Sequence, residues 1–127
     1  MTVLMYHKRF VAPILAGTKR QTIRRNRKRP IPVGAALSHR YWEGQGYRSP
    51  QIEIASGKCI AVFGITVEAN RVLIGEAGKP YRNTGISGQG LDEFARRDGF
   101  MGWADMLAYY RIQKIKLPFC GVLIQWE

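Results

Sequence analysis

Phe10-Val11-Ala12-Pro13-Ile14-Leu15-Ala16-Gly17-Thr18-Lys19-Arg20-Gln21-Thr22-Ile23-Arg24 holds two different periodicities joined at one glycine. Up to Ala16 the apolar residues fall at helical spacing, and Phe10, Ile14 and Leu15 form a stripe expected to face the core. Pro13 fits if the helix is short and the proline lies in its first turn, where the amide needs no partner. Gly17 is the residue type that most easily takes the left-handed conformation past a helix end. From Arg20 to Arg24 polar and apolar residues alternate, as in a half-buried strand. Thr22 and Arg24 then share one face, Ile23 takes the other, and Lys19 stands at the turn that opens the strand. Helix, glycine and cation-rich strand together predict one edge of a pocket, and the rest of the chain reads as its scaffold.

The strand runs on into Arg25-Asn26-Arg27-Lys28-Arg29, so that Lys19 to Arg29 carries seven Lys or Arg and no acid. Asn26 to Pro32, with two prolines, reads as a loop and as the first part to meet a polyanion. The formal net charge of +11 points to the same class of partner, nucleic acid before others. An apolar share of 46% argues against disorder, and 127 residues suffice for one core, which predicts a single domain over 1–127. No apolar run approaches the roughly 20 residues of a membrane span, and no secretory signal opens the chain, so a cytoplasmic protein away from membranes is expected. Cys59 and Cys120 sit in apolar, strand-like runs and read as buried free thiols. His7 and His39 are isolated, so nothing calls for a metal or another cofactor. No feature points to an obligate protein partner.

Around this edge the pattern predicts further strands at Thr2 to Met5, Ala35 to Trp42, Lys58 to Ala69 and Arg71 to Ile74. A Gly-, Pro- and Ser-containing excursion spans Glu43 to Gly57, and its Tyr47-Arg48 pair suits stacking on a base. Glu76 to Gly90, with Lys79 and Arg82, lacks the spacing of a phosphate-binding loop and reads as a plain loop. Two short helices follow, Leu91 to Arg97 and Gly102 to Tyr110, joined at Asp98-Gly99-Phe100. Phe119 to Trp126 is apolar enough for a strand buried on both sides. The predicted fold is α+β: five or six strands closed into a small mixed β-barrel with a few short flanking helices.

These residues resemble the ASCH domain, a relative of the PUA fold. The resemblance runs from about Phe10 to the end. It rests on the Gly-x-Lys-x-x-Thr-x-Arg pattern of Gly17, Lys19, Thr22 and Arg24 behind an apolar helix, on the Asp98-Gly99-Phe100 corner, and on the strand Phe119-Cys120-Gly121-Val122-Leu123-Ile124. It implies a PUA-like β-barrel with a cleft beside the Lys19 strand and a link to RNA. Some small bacterial ASCH proteins look like amidohydrolases that remove the acetyl group from the exocyclic amine of acetylated cytidine. By that resemblance Lys19 is the base, Thr22 the nucleophile, and Asp98 the acid, one methylene shorter than the Glu of that group. Other members are reported as ribonucleases or are thought simply to bind RNA, and a ribonuclease leaves room for Mg²⁺.

The chemistry of the side chains allows each reading. A Thr hydroxyl needs a base, and Lys19 is one only when neutral, a state that burial and the neighbouring Arg20 and Arg24 favour. Arg24 suits an oxygen gaining negative charge, or a phosphate. Asp98, at the negative end of a short helix, has its proton affinity raised, while the cations opposite lower it and offer an ion pair with Lys19 or Arg24 instead. In a purely binding module, Lys19, Arg20, Arg24, Arg25, Arg27, Lys28 and Arg29 would follow a phosphate backbone while Tyr47, Trp42 or Tyr81 stack on bases. RNA is favoured over a free nucleoside, which carries no phosphate for those cations.

Overall fold

A computed structural model describes residues 1–76 and 84–127. In chain order these form β1 (Thr2–Tyr6), a 3-10 turn at Lys8–Phe10, α1 (Val11–Ala16), β2 (Gln21–Arg24), β3 (Ala36–Trp42), β4 (Gln51–Val67), β5 (Arg71–Glu76), β6 (Thr84–Ser87), α2 (Gly90–Arg97), α3 (Trp103–Ile112) and β7 (Phe119–Trp126). Among the described residues the fold is α+β, with one mixed sheet of seven strands and three short helices. No helix among the described residues is long and apolar enough to cross a membrane.

Strand β4, seventeen residues long, organises the sheet. Its first part, Gln51 to Lys58, pairs with β3, and β3 in turn carries β1 in parallel. Its later part pairs with β5 and with β7, and β7 carries β2. The strand therefore begins seven residues before the predicted Lys58. Ile52 and Ile54 alternate with Gln51 and Glu53, and the β3 ladder satisfies a backbone that Gly57 would otherwise weaken. Gly57 also lies where a Cβ would come within 3.1 Å of the Glu127 carbonyl oxygen. Strand β6 replaces part of the loop expected from Glu76 to Gly90. Lys79, Tyr81 and Arg82 lie outside the described residues.

The expected barrel is not closed. The pairings run β1-β3-β4-β5-β6, with β7 and β2 branching from β4, and among the described residues no ladder joins β1 to β2. A side chain spans that gap instead: Arg24 at the end of β2 donates from Nη2 to the Met5 carbonyl of β1 at 2.7 Å. The opening so held becomes the pocket described below.

The core is apolar and continuous, with Leu37, Ile65, Val67, Val72, Met106 and Ile124 fully enclosed. Because β7 lies between β2 and β4, its adjacent Leu123 and Ile124 are both buried, as a two-sided strand requires. Phe10 and Ile14 face the core, but Leu15 is 66% exposed, since a helix of six residues turns its next side chain outward. Cys59 is a buried free thiol, whereas Cys120, also free, is exposed.

Candidate functional site

Local chain geometry brings Lys19 to Asp98. Helix α1 ends at Gly17 with φ 78°, a left-handed cap, and the amides of Thr18 and Lys19 both return to the Pro13 carbonyl at 3.1 Å. The next amide, Arg20, donates to the carbonyl of Arg97 at 3.1 Å, at the end of α2. One backbone hydrogen bond between residues 20 and 97 thus makes neighbours of 19 and 98. Gly99 completes the corner at φ +93°, and a Cβ there would lie 2.7 Å from Cδ of Lys19 and 3.0 Å from the Phe10 ring. The lysine stem passes where the glycine has no side chain.

Lys19 is only 2% exposed. Its Nζ donates to the carbonyls of Gln21 at 2.9 Å and Asp98 at 2.5 Å, lies 4.0 Å from Asp98 Oδ1, and stands 4.6 Å from the centre of the Phe10 ring. Burial lowers its pKa and the Asp98 carboxylate opposes this, while Arg24 and Arg9 push it further down. Asp98 moves the other way. Burial raises its pKa, with Lys19, Arg24 and the Gln21 side chain pulling it back. Its Oδ1 is buried and accepts no hydrogen bond from a described residue.

Thr22 is buried, and its hydroxyl oxygen accepts from Nε of Arg24 at 3.1 Å, so Thr22 and Arg24 share a face as the alternation predicted. The guanidinium also lies over the Tyr6 ring, 4.8 Å from its centre. No hydrogen bond joins Lys19 to Thr22; the lysine's bonds go to carbonyls.

Lys19, Thr22, Arg24, Arg25 and Asp98 line one pocket of about 370 Å³ between β1, β2 and the α2–α3 corner. An aromatic wall faces them. Phe10 and Phe100 meet edge to face at 5.3 Å, and Tyr109 packs on both. Arg9 covers these rings from outside and pairs with Asp105. At the rim the Tyr109 hydroxyl and His7 Nδ1 are 2.9 Å apart. Beneath, the Tyr6 hydroxyl lies 2.9 Å from Nδ1 of the buried His39. A pocket with an aromatic wall, a buried carboxylate and a fixed guanidinium can hold a flat heteroaromatic ring by its face and its polar edge.

Not all of the expected residues meet there. Arg20 precedes β2, turns back to donate to the Gly17 carbonyl at 3.0 Å, and lines a separate depression with Thr18 and Arg97. Arg27 borders another hollow with Pro30 and Ile31, while Lys28 and Arg29 are exposed on the same loop. Tyr47 is 92% exposed and belongs to a neighbouring depression with Trp42. Sequence reading missed Tyr6, His7, Phe100 and Tyr109. Their aromatic character is visible in the chain, but nothing local links residues 6 or 109 to residue 22. Among the described residues no cluster of His, Cys, Asp and Glu is arranged to hold a metal ion. Comparison with known proteins finds no family model, no curated protein and no solved structure that matches this chain.

Proposed function

We propose that the chain is an ASCH-type, PUA-like domain, open between β1 and β2, whose pocket binds the base of an RNA nucleotide or a nucleoside and hydrolyses it there. The observation that carries this reading is the meeting of Lys19, Thr22, Arg24 and Asp98 in one pocket beneath an aromatic wall. For an acetylated exocyclic amine, the Thr22 oxygen attacks the acyl carbon as its proton passes to a neutral Lys19. The negative charge develops on the acyl oxygen, and the Arg24 guanidinium, held beside Thr22, is the cation placed to stabilise it. Protonated Asp98 gives its proton to the departing amine, the C–N bond breaks, and water then hydrolyses the threonine ester. The lowered pKa of Lys19 and the raised pKa of Asp98 are the directions these roles require.

A second reading, binding without chemistry, is favoured by the two carbonyls that engage Lys19 Nζ, since two acceptors on the nitrogen stabilise the charged ammonium, which cannot act as a base. Incubation with acetylated cytidine, and separately with labelled single-stranded RNA, decides between them. Under the hydrolytic reading Thr22→Val abolishes product while binding is retained. Binding with no product from wild-type protein leaves the non-catalytic module.

A further inference from the structure

Beside the pocket lies a second depression, of about 510 Å³, bordered by Lys8, Trp42, Gly44, Gly46 and Tyr47. The two are contiguous, because Met5, Tyr6 and His7 line both. Its outer wall is a pair of rings, Trp42 at the end of β3 and Tyr47 in the β3–β4 loop, with centres 5.2 Å apart and planes inclined at 45°. Exposing a tyrosine to 92% while packing it on a tryptophan leaves one of its faces to solvent.

The loop that presents Tyr47 is internally braced. Glu43 N bonds the Pro50 carbonyl at 3.0 Å, Gly44 N bonds Ser49 Oγ at 2.9 Å, and Ser49 Oγ donates to the Gln45 carbonyl at 2.8 Å. Tyr47 itself sits at φ 64°, a left-handed conformation that is unfavourable for a bulky residue and that glycine or asparagine would take more easily. A strained, exposed aromatic on a braced loop, beside a pocket and next to the exposed cations Lys8 and Arg48, has the ingredients of a stacking platform for a nucleic-acid strand.

We infer that this depression receives the nucleotide adjoining the one in the Lys19–Thr22–Asp98 pocket. The ligand is then a single-stranded oligonucleotide, with one base in the pocket, the next stacked on Tyr47 and Trp42, and the phosphate between them near His7 and Lys8. The inference rests on the reading of the first pocket as a nucleobase site. It adds that a nucleoside alone fills half of the cleft.

The test is equilibrium binding of ribo-oligomers of A, C, G and U, one, two and four nucleotides long, to wild-type protein, Tyr47→Gly and Trp42→Phe. Tyr47→Gly removes the ring and suits the left-handed backbone, so the loop is retained; Trp42→Phe keeps a smaller ring and removes the Trp42 emission. Expected are a gain of roughly 10-fold or more from one to two nucleotides in the wild type, its loss in Tyr47→Gly with mononucleotide affinity within about two-fold of wild type, and quenching of emission that Trp42→Phe abolishes. A gain with length that persists in Tyr47→Gly overturns the stacking site and assigns the gain to phosphate alone. Equal affinities for one and two nucleotides overturn it as well, with the first pocket's reading left standing. If no oligomer of any length binds, the nucleobase reading of the first pocket fails, and this inference with it.

Discussion

Lys19 and Gly99 form one structural unit, because a lysine this deeply buried needs a fixed path for its stem as well as partners for its charge. Gly99 supplies the path twice, by a positive φ and by an absent Cβ. Gly99→Ala meets both penalties and is expected to lower stability by about 2–3 kcal/mol, read as a shift in the urea midpoint. An unchanged midpoint would mean that the corner has slack and that Lys19 is not held as described. His39 gives the clearest pH dependence. Burial first, then Arg24 and Lys19, lower its pKa from 6.5 to about 4, against the opposing pull of Glu53. The folded value lies below the unfolded one, so the neutral ring contributes stability above about pH 6.5, and that contribution is lost as pH falls toward 4. His39→Asn, which keeps an acceptor for the Tyr6 hydroxyl, removes this term. Wild-type protein should therefore lose stability relative to His39→Asn between pH 6.5 and 4, a difference that paired urea titrations measure directly.

At the scale of elements, β2 is aimed by Gly17 and seated by Gly121. A Cβ at Gly17 would meet only the flexible Arg20 guanidinium at 3.2 Å, although φ 78° still disfavours a side chain. A Cβ at Gly121 of β7 would collide with the Arg24 carbonyl of β2 and come within 2.9 Å of the Phe119 ring. Backbone yields less than a side-chain tip. Gly17→Ala should cost about 1 kcal/mol, and Gly121→Ala about 3 kcal/mol together with the pocket's ligand affinity, since it displaces Arg24. Equal losses in the two denaturation curves would contradict the seating of β2 on Gly121. These two glycines also mark what the sequence could tell. Gly17 stands where helical spacing gives way to alternation, a local signal that located α1, β2 and the shared face of Thr22 and Arg24. Gly121 has no such signal, because its reason is a strand about a hundred residues away. The same holds for the Arg20–Arg97 hydrogen bond that unites Lys19 with Asp98, and for the arrival of Tyr6 and Tyr109 at the pocket. Distant contacts leave no period in the chain. The early start of β4 was hidden differently: the segment before Lys58 has loop-like composition, and the β3 ladder overrides it.

Across the whole molecule, 20 Lys and Arg stand against 9 Asp and Glu, and two groups among these cations differ sharply in setting. Lys19 and Arg24 are committed to carbonyls, a hydroxyl and ring faces inside the pocket. Arg27, Lys28 and Arg29 are exposed and make no ion pair with a described residue. On the proposed reading the first group orients the ligand, and the second acts through long-range attraction or direct phosphate contacts. Their contributions separate by salt dependence, because each phosphate contact on a single strand adds about 0.7 to the slope of log affinity against log salt. Replacing Arg27, Lys28 and Arg29 together by Ala should lower that slope by about 2 for single-stranded RNA and leave the affinity for an uncharged nucleoside unchanged. A slope that stays at the wild-type value would show that the strand does not run along this loop. A loss of nucleoside affinity would tie the loop to the pocket itself, through the Arg25–Asn26 link that continues β2.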